Sequence, residues 1–366
     1  MNHLRTVFFF FVIAALAGCP KHEVVYEQTA KKAADTLAPK PPLPWPELDS
    51  LPVVHYTKTV LEPAKVYAEF RRKYAKNDST MANYRAITTI NRKDIHYYRV
   101  GDTVMIPDTI VKDLRAYSVF PKTYPSAAAL SKLIVISNQY QSYACYDSGR
   151  LVRFAATNTG SERKPTFPGR YALNWKQRLR HSSLDSSWVL PYTWNFHLNA
   201  GSAFHQFDMP GRPVSHSCVR QFMDDAAWLF KWGKGAARDT AGRMIPMTGT
   251  PVIILDMFDY TRKHGGPWRE LADNTPVIAL PENPTEVEEA LIPISQIPKD
   301  ARGSLVNYKR YVTAEDTLRA RGIIREGVTL SESINYNKLR RQKRAAEHAK
   351  QQQQQQQQQP EDGGTK

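Results

Sequence analysis

Cysteine is nearly missing, with three in 366 residues, at positions 19, 145 and 218. So few exclude a disulfide-stapled framework. Short paired ligand spacings are missing too, since the chain has no Cys-x-x-Cys and no His-x-x-x-His. Structural zinc sites draw four ligands from such pairs, so no metal and no other cofactor is expected. No membrane-spanning helix is expected either, because the apolar run Val7–Leu16 is too short to cross a bilayer. Acidic residues are the minority, 35 Asp+Glu against 50 Lys+Arg, giving a net charge of +15. Thirteen Lys+Arg and six Asp+Glu fall between Lys299 and Lys350, so about half of the excess sits near the C-terminus. A basic excess suggests nucleic acid, but the N-terminus described next argues against that partner. A basic tail outside the cytoplasm meets anionic lipid or wall polymer instead. It reads equally as a solvated helix with no specific partner.

Arg5 and the apolar run after it have the layout of a secretory signal. The run ends in Leu16-Ala17-Gly18-Cys19, which resembles the lipobox of bacterial lipoproteins. The resemblance implies loss of residues 1–18 and acyl chains on Cys19, a membrane anchor at the start of the mature chain. Pro20 after the cysteine points to the outer membrane, and the expected location is the periplasm-facing cell envelope. The plain alternative is an ordinary signal peptide or an uncleaved anchor with a chance cysteine.

Residues 19–56 read as a tether, with Ala38-Pro39-Lys40-Pro41-Pro42-Leu43-Pro44-Trp45-Pro46 favouring extended polyproline. Residues 57–108 read as a small helical unit closed by a strand. Val66, Phe70 and Tyr74 recur at helical spacing, and Gly101-Asp102 turns into the strand Val104-Met105-Ile106-Pro107. This segment resembles the second half of a LysM module, which implies binding to wall glycan, although no opening strand is visible. Residues 109–130 read as a linker. From Ser131 the pattern becomes β. Leu133–Ser137 is an apolar strand, and Gln141–Tyr146 and Leu151–Phe154 form a hairpin about Asp147-Ser148-Gly149. Thr250–Leu255 is a closing strand, and Asp224–Trp232 is the one helix between. Cys145, mid-strand, reads as a small core residue. The expected fold is thus a mainly β domain over 131–257 with a crossing helix. A small α/β module precedes it and a partly helical extension, 258–350, follows. The extension is expected to hold helices near Ala314–Gly322 and Ser331–Lys350. Residues 351–366, with Gln351–Gln359, are expected to be disordered.

Chemistry concentrates in Phe204-His205-Gln206-Phe207-Asp208-Met209-Pro210-Gly211-Arg212-Pro213-Val214-Ser215-His216-Ser217-Cys218-Val219-Arg220. A thiol beside histidines suits nucleophilic catalysis, with a nearby imidazole as base. Cys218 precedes the expected helix, whose N-terminal partial charge would lower the thiol pKa. His205 lies far enough upstream for the Pro210-Gly211 loop to bring its ring back to the sulfur.

The segment resembles the signature of the L,D-transpeptidases, the YkuD family: an apolar residue and His, a Pro-Gly-x-Pro loop, then Ser-His-Gly-Cys-Val/Ile-Arg. Thr159-Gly160 and Pro165-Thr166-Phe167-Pro168-Gly169 resemble two further family elements. The likeness covers roughly Ser131 to Met257 and implies a β-sandwich. It also implies Cys218 as nucleophile and His205 as base, supported by Ser215, His216, Ser217 and Arg220. The implied substrates are peptidoglycan stem peptides, joined 3→3 through a cysteine thioester. Tyr192, Trp194 and Arg212 are further candidates for substrate contact. Two positions depart from the pattern. Ser217 replaces a Gly suited to positive φ, and Phe167 replaces a Pro. A hydrolase on the same fold, or a wall-binding lipoprotein whose catalytic domain has decayed, are the alternative readings.

Overall fold

The computed structural model describes residues 48–182, 187–198, 201–262, 265–305, 307–333 and 336–357. The expected signal segment, Cys19, the Pro-rich stretch and residues 358–366 lie outside them. No described helix is long and apolar enough to cross a membrane.

Strand β1 (Tyr56–Val60), helices α1 (Ala64–Lys73) and α2 (Met81–Asn91), and strand β2 (Thr103–Pro107) form the N-terminal unit. The two strands pair antiparallel, Tyr56 opposite Pro107 and Val60 opposite Thr103. The opening strand, missed in the sequence, is Tyr-Thr-Lys-Thr-Val. None of its residues is fully buried, so it shows no apolar alternation. Leu61, Phe70, Tyr74, Tyr84, Ile87, Tyr98 and Val104 make this unit's core. Asn91 ends α2 by donating to Ile87 O and Met105 O at 2.9 and 2.8 Å, while its Oδ1 accepts the Met105 N–H at 2.8 Å. Helix end and strand are thereby locked together.

The larger body is a sandwich. One sheet holds β3 (Leu133–Ser137), β4 (Ser142–Asp147), β5 (Arg150–Ala156), β6 (Gly169–Ala172) and β11 (Pro251–Ile254), in the order β5-β4-β3-β11-β6. The other holds β7 (Lys176–His181), β8 (Val189–His197), β9 (Ser202–Gln206) and β10 (Val219–Gln221), in the order β10-β9-β8-β7. Helix α3 (Met223–Trp232) follows β10. Ile134, Ile136 and Tyr143 from the first sheet meet Trp194, Phe196, Phe204 and Val219 from the second, with Leu229 of α3. Cys145 is buried in this layer, where burial pushes its thiol well up. Leu133 and Val135 point the other way, against Ala86, Ile90, Met105, Tyr117 and Phe120. Covered on both faces, β3 is apolar at successive positions rather than alternating.

That second layer corrects the expected linker. Within 109–130, Tyr117, Val119, Phe120, Tyr124 and Ala127 are buried, so the stretch is core and not a spacer. The described end of the tether is likewise packed, with Leu48 and Val54 buried. The expected C-terminal helices appear as α4 (Tyr308–Ala320), after a helical turn at Lys299–Arg302, and α5 (Tyr336–Gln357). α5 carries Gln351–Gln357 as helix where disorder was expected. Glutamine is a good helix former, so a helix already begun continues through it. Leu318, Ile324 and Leu330 of the extension bury against Phe167 of the sandwich.

Arg92 joins the two layers. It is 1% exposed, with φ 57°, directly after α2. Its guanidinium donates to Tyr140 O at 3.0 Å and to Thr89 O and Ile90 O at the α2 C-terminus. It also lies over the Phe154 and Trp268 rings at 5.4 and 5.9 Å. Burial lowers its pKa only to about 10, so it stays charged, balanced by carbonyl dipoles instead of a carboxylate. Arg92→Ala, which strands those carbonyls and opens a cavity, is expected to lower stability by about 3 kcal/mol, read as a shift in the urea midpoint. Lys in its place, with one compact ammonium, should recover only part of the loss.

Candidate active site

The site begins with a short parallel pairing. β9 and β10 place Phe204 opposite Val219 and His205 opposite Arg220. Strand periodicity then sorts the residues. Phe204 and Val219 enter the core, both fully buried, while Ala203, His205, Cys218 and Arg220 share the other face and line one cleft. The Ala203 N–H is aimed at the Cys218 sulfur. The ring on β9 and the thiol immediately before β10 thus share one face, although no hydrogen bond between them is formed among the described residues.

The ring's tautomer is fixed by its neighbour. His205 Nδ1 lies 3.0 Å from Gln206 O. A carbonyl can only accept, so Nδ1 carries the proton and Nε2 presents a lone pair. Burial lowers the imidazole pKa to about 4, assisted by the Arg220 charge and opposed by the Gln206 bond. Burial also raises the thiol, against the lowering effects of the Ala203 N–H, Arg220 and Arg180. The resting pair is therefore neutral thiol and neutral imidazole.

This corrects the expected role of the helix. Strand β10 intervenes, and α3 starts only at Met223. The field of a helix terminus fades within about one turn, so it does not ionise Cys218. The chemistry open to the pair is general-base transfer of the thiol proton to Nε2 as the sulfur attacks.

The loop carrying Cys218 rests on the elements quoted from the sequence. Thr159 O accepts the N–H groups of Val214 and Ser215 at 3.0 Å, and Ser161 N–H donates to Ser215 O at 2.9 Å. Thr166 Oγ1 donates to Ser217 O at 3.2 Å and accepts from Gly160 N at 2.9 Å. A Cβ at Gly160 would lie 2.2 Å from Lys164 O, so this turn needs glycine. Ser215 Oγ donates to Cys218 O. The loop between base and thiol is braced by the N-terminal unit. Asp94 N–H donates to the buried Met209's carbonyl at 2.8 Å, and Gly211, at φ 84°, packs on the Lys93 side chain.

Ser217 occupies the left-handed region its position demands, at φ 74°. Its Oγ lies 2.7 Å from Ser202 Oγ, a buried contact. That bond offsets a backbone cost of about 1–2 kcal/mol. The Ser217 and Cys218 N–H groups donate to nothing among the described residues, so both remain available to a ligand oxygen.

Other candidates separate. His216 lines the cleft and is exposed. Burial, then Lys164 and Arg220, lower its pKa. Arg220 lines the cleft too, stacking on Phe207 at 4.6 Å and donating to Asp208 O at 3.2 Å. Trp194 does not reach it. This residue is 1% exposed in the core, because its strand position faces the first sheet. Tyr192, at φ 54°, lies against Phe230 outside the cleft. Arg212 is exposed in a separate depression with Lys93 and Asp102. The cleft instead takes Lys164, Trp175, Arg180, Trp188, Phe207 and, from the extension, Glu332. Phe207 was within reach of period-2 reasoning from His205. Arg180 of β7, and Trp175 and Trp188 beside β7 and β8, needed the sheet register. No cluster of three or more His, Cys, Asp or Glu suited to a metal occurs among the described residues.

Residues 131–254 match the YkuD family model, the L,D-transpeptidase catalytic domain. Among solved structures, the chain is similar to the L,D-transpeptidase (residues 123–326) of Xylanimonas cellulosilytica, at 22% identity over 59% of this chain and 100% of that one, TM-score 0.32. An L,D-transpeptidase from Stackebrandtia nassauensis shares 14% identity over 64% of this chain and 92% of that one, TM-score 0.31. One from Mycobacterium smegmatis shares 16% over 34% of this chain, TM-score 0.28, and the chain spans 58% of its length. No curated protein matches the chain.

Two outcomes follow from the geometry. Ser217→Gly removes strain and the Ser202 bond together, so stability should stay within about 1 kcal/mol. Ser217→Ala keeps the strain and leaves Ser202 unpaired, and should lose about 1–3 kcal/mol in chemical denaturation. The second concerns pH. A base works only when neutral, and His205 is held near 4. Acylation of Cys218 should therefore stay level as pH falls through 6.5 and drop only near pH 4. A fall centred at 6.5 in the pH–rate profile would show a solvated ring instead.

Proposed function

We propose that the chain is a cysteine L,D-transpeptidase acting on peptidoglycan stem peptides, with Cys218 as nucleophile and His205 as general base. The observation that carries this reading is the shared face of β9 and β10. There a thiol and a bare Nε2 open into one cleft, within a domain matching the L,D-transpeptidase family. Nε2 takes the thiol proton as Sγ attacks the carbonyl of the L-centre preceding a terminal D-residue. The oxyanion turns to the unoccupied N–H groups of Ser217 and Cys218. His205 returns the proton to the departing D-residue amine, leaving a thioester on Cys218. An amine from a second stem resolves the thioester and forms the 3→3 link. Lys164, Arg180 and Arg220 suit an anionic donor peptide. Decay of the site is disfavoured, because Ser217 holds the positive φ the motif needs.

Around this centre we place the remaining parts of the reading. The strand–helix–helix–strand order of the N-terminal unit supports a LysM-like, glycan-binding role. Cys19 would carry lipid and hold the enzyme in the periplasm-facing envelope, with the outer membrane favoured by Pro20.

Purified disaccharide tetrapeptide tests the activity. Wild-type protein should release the terminal D-residue, show a thioester adduct by intact mass, and yield 3→3 dimers in muropeptide analysis. Cys218→Ala should show none of these, and His205→Gln should lose about 10²–10⁴ in rate. Tripeptide without dimer would make the enzyme a hydrolase. An adduct persisting without Cys218 would remove the nucleophile.

A further inference from the structure

The cleft around Cys218 is not built by the sandwich alone. Gln296, Ser331, Glu332 and Ser333 of the C-terminal extension also line it. These residues are held from both sides. Ser331 N–H donates to Arg163 O at 2.7 Å, and Ser333 N–H donates to Gln296 O at 2.6 Å. Beneath them, Leu318, Ile324 and Leu330 pack on Phe167. Phe167 is the position where the family pattern has Pro, and here it is 2% exposed. Its neighbours Thr166 and Pro168 belong to the element that supports the nucleophile loop. The departure is thus accounted for by the extension, which it fastens next to the site.

The charges in the cleft are unequal. Lys164, Arg180 and Arg220 are cationic, and Glu332 is the one acid among the described lining residues. One Glu332 oxygen accepts the Lys299 N–H at 3.2 Å. The other lies 3.9 Å from Lys299 Nζ, an ammonium on a side chain 81% exposed. So loose and solvated a pair is worth little and yields readily to another cation. Three positive groups repel an incoming ammonium, and a single fixed carboxylate reverses that at one place.

We infer that Glu332 forms the acceptor subsite, binding the side-chain ammonium of the second stem peptide before it attacks the thioester. The inference rests on the transpeptidase reading above. The extension thereby takes part in the second half-reaction. One ammonium proton passes through the Glu332 carboxylate to solvent, leaving a neutral amine. Its nitrogen forms the new C–N bond at the thioester carbonyl and gives a second proton to His205 Nε2. The C–S bond breaks, and the thiolate recovers that proton from His205. The balance is thioester plus ammonium giving amide, thiol and one released proton.

Glu332→Gln in the full chain separates the two half-reactions. Release of the terminal D-residue from disaccharide tetrapeptide, in a single turnover, should stay within about twofold of wild type. The acceptor concentration for half-maximal cross-linking should rise about tenfold, the effect of one hydrogen bond to a charged partner, and hydrolysis should gain at the expense of dimer. Glu332→Asp should recover part of the loss. Phe167→Ala, which loosens the C-terminal extension without touching the carboxylate, should shift the same ratio toward hydrolysis. Unchanged acceptor dependence in Glu332→Gln, or an equal loss in both half-reactions, overturns the subsite alone. Faster donor acylation in that variant would make the segment an obstruction and equally overturn it. Failure of the wild type to release any D-residue sinks the transpeptidase reading, and the subsite with it.

Discussion

Everything at the site depends on pairing β9 with β10 in one register. His205 lies on β9 and Cys218 immediately precedes β10, and the two-residue period of the paired strands brings them to a common face. Phe204 and Val219 hold that register by filling the core between the sheets. A slip of one residue would bury the chemistry and expose the phenyl ring. Core packing and the alignment of ring and thiol are here the same constraint.

The price of such a face is desolvation. A ring buried beside Arg220 cannot hold a proton at neutral pH, and a thiol in the same surroundings is reluctant to lose one. Two neutral partners result. The Gln206 carbonyl completes the arrangement by fixing which nitrogen is bare. Ser217 shows a related compromise, since a strained backbone angle persists because Ser202 and Thr166 hold the residue at both ends.

Units that look separable along the chain are interlocked in space. Arg92 binds the α2 terminus to the Tyr140 carbonyl, Asp94 and Lys93 brace the loop between base and thiol, and Phe167 seats the extension. The cleft thus has walls from the sandwich and the extension, and its loop has a floor from the N-terminal unit.

Local chemistry was legible along the chain. The His205–Cys218 motif, the β3–β5 strands, the Asp147-Ser148-Gly149 turn and the helix before Trp232 follow from short-range patterns, and the positive φ at Ser217 was implied by the family resemblance. What lay hidden depended on partners distant in sequence. Strand β1 is half-exposed and shows no alternation. Residues 109–130 carry aromatics whose burial requires the face of β3. Trp194 and Trp188 lie on one strand or beside it, yet only the register sends the first inward and the second toward the cleft. By itself the sequence determined which side chains carry the thiol and the imidazole of the motif. The tertiary structure decided their protonation and their neighbours, because burial and charge at a point are set by every segment that packs around it.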